Sequence, residues 1–302
     1  AMVDNGFKPN FSASLVAAAA TIGPVIPPSI PFVLYGALTG VSVGKLFMAG
    51  FIPGALMALA IMIAIAFRAK RLNLPKETRA DLREIIASTK AAFLPMLTPV
   101  IIIGGIMTGI FTPTEAAVVA SLYALFLGFF YRDLKWKDLP DIFWISIRQT
   151  VSLLFIISAA GFFGWLTIHQ KIPDQIILSL TGMSLAPSVV LAIIIVIVLV
   201  LGCFLEGNAI FIITVPIFMP IAQQFGIDLI NFGVVMTLLI MVGNLTPPVG
   251  MCLFAVSSFS NVNIGVLSRE IVPYLIGIFI VTVVIAYVPQ ISTFLPDLIM
   301  GR

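Results

Sequence analysis

An all-α polytopic membrane protein is the fold class this sequence predicts, and three observations predict it. Of its 302 residues 60% are hydrophobic and only 10% are charged, a balance well outside that of soluble domains. Apolar runs of about eighteen residues or more recur from end to end, and each can cross a bilayer core as a helix. The alternating strands of about ten residues that mark a membrane β-barrel are absent from the sequence. The net charge of +3 is concentrated in loops, where it reports orientation in the lipid bilayer, and no nucleic-acid partner is expected. Cys203 and Cys252 lie inside apolar segments and read as small packing residues. His169, the single histidine, stands at a span end without a second histidine to build a metal site.

Residues 11–44 form an apolar span interrupted by Thr21-Ile22-Gly23-Pro24-Val25-Ile26-Pro27-Pro28-Ser29. Paired prolines remove two backbone donors and push the preceding residue out of the helical region, so a broken helix is expected there. Phe47 to Phe67 reads as an ordinary span. Seven basic residues between Arg68 and Lys90 mark a cytoplasmic loop. Thr78-x-x-Asp81 resembles a helix start, with Leu82, Ile85 and Ile86 on one face. An amphipathic helix along the inner interface fits this segment, and a plain solvated linker helix is the alternative. From Ala91 to Tyr131 an apolar stretch broken at Thr112-Pro113-Thr114-Glu115 crosses and returns. The basic loop Arg132–Arg148 is again cytoplasmic, and 150–168 crosses outward to an external segment ending at Pro187.

Residues 188–224 read as a re-entrant hairpin with Glu206-Gly207-Asn208 at its tip, because the arm after Ala209 is too short and proline-rich for a full crossing. A second broken helix covers 229–260, interrupted at Gly243-Asn244-Leu245-Thr246-Pro247-Pro248-Val249-Gly250. A final span runs from Ile271 toward Met300. Adding 220 to the numbering carries Gly6, Gly23, Pro27, Pro28 and Pro53 onto Gly226, Gly243, Pro247, Pro248 and Pro273. All five identities are glycine or proline, the residues that set breaks and turns. Counting crossings from the basic loops puts Gly6 inside and Gly226 outside, so the repeat is inverted. Residues 1–67 are then the end of a first repeat, 68–90 a linker, and 91–302 a second repeat. The first broken helix has no hairpin before it in this sequence, and the repeat predicts that roughly a hundred residues carrying one precede Ala1. Broken helices opposite a hairpin are the backbone pattern of a secondary transporter.

TIGPVIPPSI at 21–30, LFMAGFIPG at 46–54, IIIGGIMTGIFTPTEAAVVA at 101–120 and GNLTPPVGMCLF at 243–254 resemble, in order, stretches of the large membrane (M) subunit of the tripartite ATP-independent periplasmic (TRAP) transporters. The resemblance covers the whole chain and lacks only the family's amino-terminal part, with its serine-rich first hairpin. It implies an elevator-type, sodium-coupled importer in the bacterial inner membrane. It also implies three partners: a small organic anion such as a C4-dicarboxylate or sialic acid, a small membrane (Q) subunit, and a periplasmic substrate-binding (P) protein.

Half-helix N-termini offer N–H groups to an anion, and the broken C-terminal ends offer carbonyls to a cation. Sodium (Na+) is a hard cation that Gly243, Thr246 and Val249 can surround with oxygens, closed by Gly202 of the hairpin. Gly23, Ile26 and Ser29 are the corresponding half-site. For the anion the candidates are Asn208 and Glu206 at the hairpin tip, with Pro27, Pro28, Ser29 and Pro247 at the breaks. The competing view of both proline pairs is that they are structural kinks. Glu115 and Glu206 are the two carboxylates deep in apolar stretches. Glu115 either caps the helix after Pro113 or works in transport, and Glu206 either shapes its loop or meets substrate. Two rivals of other classes are a passive channel and an intramembrane enzyme. The latter lacks a nucleophile–base pair or a close acid pair at depth.

Overall fold

The computed structural model describes residues 2–72, 74 and 81–301, and every regular element among them is a helix. Contacts divide the chain into two compact units, Ala1–Pro75 with Ala159–Arg302, and Lys76–Ser158. Six of the described helices are long and apolar enough to cross a membrane.

The first unit opens with α1 (Pro9–Ala20), whose proline at N1 removes a donor the helix start does not need. After Thr21 the chain leaves the helix. Val25 and Ile26 both donate to the Ile22 carbonyl, and the Pro27–Pro28 pair, joined by a cis bond, follows. Ser29 restarts it as the N-cap of α2 (Ile30–Thr39), accepting from Phe32 N at 3.3 Å. Its hydroxyl also donates to Pro24 O at 2.5 Å, which ties the two ends of the break together. In α3 (Val43–Leu72) Gly50 and Gly54 seat this break, because a Cβ on either would collide with Val25 O or the Ile26 side chain. That gives the small residues of LFMAGFIPG a packing reason.

The second unit contains α4 (Leu82–Met107) and α5 (Pro113–Phe130), packed as a hairpin, and the start of α6 (Leu139–His169). Thr78 lies outside the described residues, and Asp81 caps α4 by accepting from Leu82 N at 2.8 Å. The amphipathic stretch at 82–86 opens α4, which runs on as one helix to Met107 with Pro95 and Pro99 inside it. The basic loop expected to run to Arg148 is shorter, turning helical at Leu139. Glu115 takes the capping reading. Its carboxylate accepts from Thr112 N and Thr112 Oγ1 at 2.8 Å each, while Thr112 Oγ1 accepts from Glu115 N.

The first unit resumes with the end of α6. The segment after His169, expected outside, holds a further helix, α7 (Ile172–Gly182), with Pro173 in its first turn and packed on α9. The hairpin follows as α8 (Pro187–Gly202) and α9 (Gly207–Gln224). The second broken helix is α10 (Leu229–Asn244) and α11 (Met251–Ser260). The final span is two helices, α12 (Ile264–Tyr287) and α13 (Gln290–Met300). Val288 before Pro289 leaves the helical region, with φ −125° and ψ 74°, and ends α12.

The two broken helices share a plan. α1 and α10 begin 220 residues apart, and α2 and α11, like α3 and α12, begin 221 apart, so the second copy gains one residue by the end of its break. Gly6 and Gly226 both turn with positive φ, and Pro247–Pro248 repeats the cis bond of Pro27–Pro28. Contacts join ends that an inverted repeat puts on one side. Arg68 of α3 pairs with Glu270 of α12 and lies over the rings of Phe11 and Tyr274. At the other end the Tyr35 hydroxyl donates to Leu229 O at 2.8 Å.

Orientation is checked with a cysteine at Asp138, in the short turn Trp136–Asp138, after removal of Cys203 and Cys252. It is expected to resist a membrane-impermeant thiol reagent in intact cells, because Arg132–Arg148 carries the positive charge of an inner loop. Labelling from outside reverses the orientation.

Candidate substrate cavity and cation site

The hairpin turn spans Cys203–Glu206 and is shaped by its last residue. Glu206 is the N-cap of α9, accepting from Ala209 N at 3.0 Å and from Asn208 Nδ2 at 2.8 Å. The loop-shaping role is therefore occupied, and the amide nitrogen of Asn208 is committed to Glu206. Both residues still line a cavity of about 240 Å³, together with Gly207 and Phe211. Ala20 and Pro24 from the first break, Ile30 and Pro31 at the start of α2, Ile240, Met241 and Asn244 of α10, and Cys252 of α11 complete the wall. The hairpin tip and both broken helices thus meet around one space. No lysine or arginine is among the residues lining it; the N-terminal ends of α2 and α9 reach its wall, the first capped by Ser29 and the second by the Glu206 carboxylate.

Beside this cavity Gly202, the last residue of α8, lies against Gly243 of α10. A Cβ on Gly243 would stand 2.5 Å from Gly202 Cα, and one on Gly202 would stand 2.9 Å from Gly243 Cα. Only glycine at both positions lets the backbones touch. After Gly243 the helix frays. Its carbonyl accepts from Thr246 N at 2.9 Å, and the Thr246 hydroxyl donates to Val242 O at 2.7 Å, which leaves the hydroxyl lone pairs free. Gly250 turns with φ 53°, and a Cβ there would lie 3.1 Å from Thr246 O and 3.3 Å from Asn244 O. Among the described residues no hydrogen bond reaches either of those carbonyls. Two unpaired carbonyls converging beside the bare Cα of Gly250 form a cradle of oxygens, the kind of donor a hard cation such as sodium takes. Val249 is exposed at the edge of the break, as are Pro247 and Pro248.

The first break is arranged differently. Ser29 is buried and engaged as a helix cap, Pro27 is buried, Ile26 packs over Gly54, and Gly23 and Pro28 are exposed. None of these five lines the cavity, where Ala20, Pro24, Ile30 and Pro31 represent this break instead. Cys252, read from the sequence as packing, is part of the cavity wall.

Asn244 is the residue that sequence reasoning passed over. It is 9% exposed, and its Oδ1 is buried without a hydrogen-bond partner. Such an orphan costs about 1–3 kcal/mol. The signal was present, since an amide inside the apolar run from Leu229 to Leu245 is itself an anomaly.

A hairpin whose tip meets two broken helices over a shared cavity defines a polytopic membrane transporter. Comparison with known proteins specifies it. The family described as Tripartite ATP-independent periplasmic transporter, DctM component, matches residues 1–291. The sialic acid TRAP transporter large permease SiaM of Vibrio cholerae is 40% identical over 304 residues, covering 99% of this chain and 70% of that protein. The C4-dicarboxylate TRAP transporter large permease DctM of Pseudomonas aeruginosa is 40% identical over 297 residues, covering 98% and 70%. The 2,3-diketo-L-gulonate large permease YiaN of Escherichia coli is 34% identical over 283 residues, covering 93% and 67%. The chain belongs to the DctM family, the large membrane subunits of TRAP transporters. It is a multi-pass protein of the bacterial inner membrane and a transporter component, not an enzyme.

Proposed function

We propose that this chain forms the transport path of a sodium-coupled, elevator-type importer of a small organic anion such as sialic acid or a C4-dicarboxylate. A periplasmic binding protein delivers the anion and a small membrane subunit accompanies the chain, as the tripartite family description implies. The observation that carries the reading is the cavity enclosed by the hairpin tip and both helix breaks, next to the cradle of carbonyls at Asn244 and Thr246. Gly202, Gly243, Thr246 and Val249 surround the cation position, and Gly23, Ile26 and Ser29 mark its repeat-related counterpart. Sodium held there supplies positive charge to a cavity whose lining has no cationic side chain. The α2 and α9 N-termini then orient the carboxylate, while Glu206 holds the hairpin tip in shape by capping α9. Apolar residues Phe211, Ile240 and Met241 exclude water from the remaining wall.

The experiment is uptake by the complete transporter in proteoliposomes with an inward sodium gradient. Uptake is expected to collapse when sodium is replaced by choline. Equal uptake in both solutions removes sodium coupling from the reading, and flux without saturation favours a channel.

A further inference from the structure

We propose that Arg68 is a positioning residue for the substrate cavity: by pinning α1 to α12 at one end, it holds the first helix break in place at the other. The proposal rests on the cavity being the substrate site. Of the two arms that lead into the breaks, α1 is the less secured. Its counterpart α10 is buried at every residue from Asn231 to Asn244, whereas α1 buries only Phe11, Ser12, Ala13, Ser14, Ala17 and Ala18. Five of those six are small, so they pack closely but interlock little, and Phe11 is the one large side chain among them. α1 also lies chiefly on α11 and α12, which belong to the other repeat. Its last residue, Ala20, lines the cavity together with Pro24, and Cys252 of α11 is part of the same wall.

Arg68 secures the opposite end of α1. Its Nη1 donates to Glu270 O at 2.7 Å and its Nη2 pairs with the Glu270 carboxylate. One guanidinium therefore grips both the main chain and the side chain of a single residue of α12, which fixes rotation as well as separation. The same group lies 5.6 Å from the ring centroid of Phe11 and 5.5 Å from that of Tyr274, within reach of cation–π attraction. α1, α3 and α12 are thus gathered at one point. About two turns along, a Cβ on Gly277 would stand 3.3 Å from Ala60 Cβ, so α3 and α12 approach closely and leave the pin little slack. The Arg68 and Glu270 side chains are 17% and 32% exposed, so water screens the pair in part and its stabilising effect is modest. Its geometric effect is the larger one. Without the pin, α1 can slide on the small residues of its buried face and carry Ala20 and Pro24 with it.

The test reads the cavity wall through Cys252, which is partly buried, in the purified complex with Cys203 replaced by alanine. The rate of its alkylation by N-ethylmaleimide is followed by mass spectrometry, beside thermal melting and uptake of N-acetylneuraminate and succinate in proteoliposomes. Arg68→Met keeps the apolar stem and removes the guanidinium. It is expected to speed alkylation about tenfold at temperatures below melting, and to slow uptake by a similar factor. Arg68→Lys keeps the charge without the planar fork and is expected to fall between the two. Glu270→Gln leaves the backbone acceptor in place, is expected to have the smaller effect, and serves if the methionine variant does not fold. Exchange of the pair, Arg68→Glu with Glu270→Arg, is expected to recover part of the slow alkylation. Unchanged alkylation in an Arg68→Met complex that melts earlier makes the pair a stabiliser with no hold on the cavity, and overturns the proposal. So does wild-type uptake by that variant. An equal acceleration at Val235→Cys, in the buried arm α10, marks general loosening and overturns it too. Wild-type uptake of neither acid, or uptake indifferent to sodium, counts against the transport reading. The alkylation rates judge the hold of Arg68 on the cavity by themselves, so the two failures are told apart.

Discussion

Gly243→Val is expected to reduce uptake by the complete transporter to background. Any Cβ at this position would stand 2.5 Å from Gly202 Cα and 2.7 Å from its carbonyl carbon, both backbone atoms that cannot rotate away. The valine must push α8 off α10 at the point where the hairpin closes on the broken helix. Overpacking of this kind costs about 1–3 kcal/mol of stability. The larger effect is on geometry, since separating these backbones also moves Cys203 O from Gly250 N, now 3.5 Å apart. Gly243→Ala is expected to fall between wild type and valine. The measurements are initial uptake rate and thermal melting of the purified complex. A valine variant that folds and transports at the wild-type rate shows that the Gly202–Gly243 contact does not shape the path.

Thr246→Val is expected to raise the sodium concentration for half-maximal uptake about tenfold, the equivalent of about 1.4 kcal/mol. The substitution keeps the side-chain shape and removes one oxygen. In the native chain that oxygen donates its proton to Val242 O at 2.7 Å, so its lone pairs are available to a cation. Valine also leaves Val242 O with one partner fewer, although that carbonyl still accepts from Leu245 N at 3.1 Å. Sodium is titrated at fixed substrate. Ser260→Ala serves as the control, because Ser260 is exposed at the far end of α11 and bonds only within its own helix and the turn beyond it. An unmoved titration in a robustly transporting Thr246→Val complex makes the break a hinge without a hydroxyl ligand.

Much of this architecture was legible because glycine and proline act locally. Pro27-Pro28 and Pro247-Pro248 announced both breaks, and Gly202, expected to close a cation cage, packs its backbone against Gly243. What a residue faces was harder to read. Ser29 belongs by register to a half-site, yet its hydroxyl is consumed between Pro24 O and Phe32 N. Asn208 was expected at substrate, and its amide is held by Glu206 two residues away. Short polar side chains beside a helix start satisfy the nearest backbone or neighbour first, and spacing alone does not show that competition. The helix α7 was missed because its polar start at Lys171-Ile172-Pro173-Asp174 reads as a loop and its apolar residues from Ile176 to Leu180 are too few for a span; it packs on α9. Asn244 was hidden in plain view within a motif whose prolines drew the attention.

The burial of α10 has a consequence for the setting in which this protein works. Every residue from Asn231 to Asn244 is buried, and the helix touches α2, α3, α8, α9, α11, α12 and α13. Its apolar surface is matched to protein and not to acyl chains. At sixteen residues it is about 24 Å long, shorter than a hydrocarbon core, yet it suffers no mismatch because it has no lipid boundary. By contrast, the most apolar stretch of α4 has no buried residue within its own unit. Changes of bilayer thickness or fluidity therefore reach Asn231–Asn244 only after passing through a jacket of other helices, whereas Pro247, Pro248 and Val249 beyond it are exposed. The arm that leads to the second break is insulated, so its placement is a property of the polypeptide more than of the membrane that holds it.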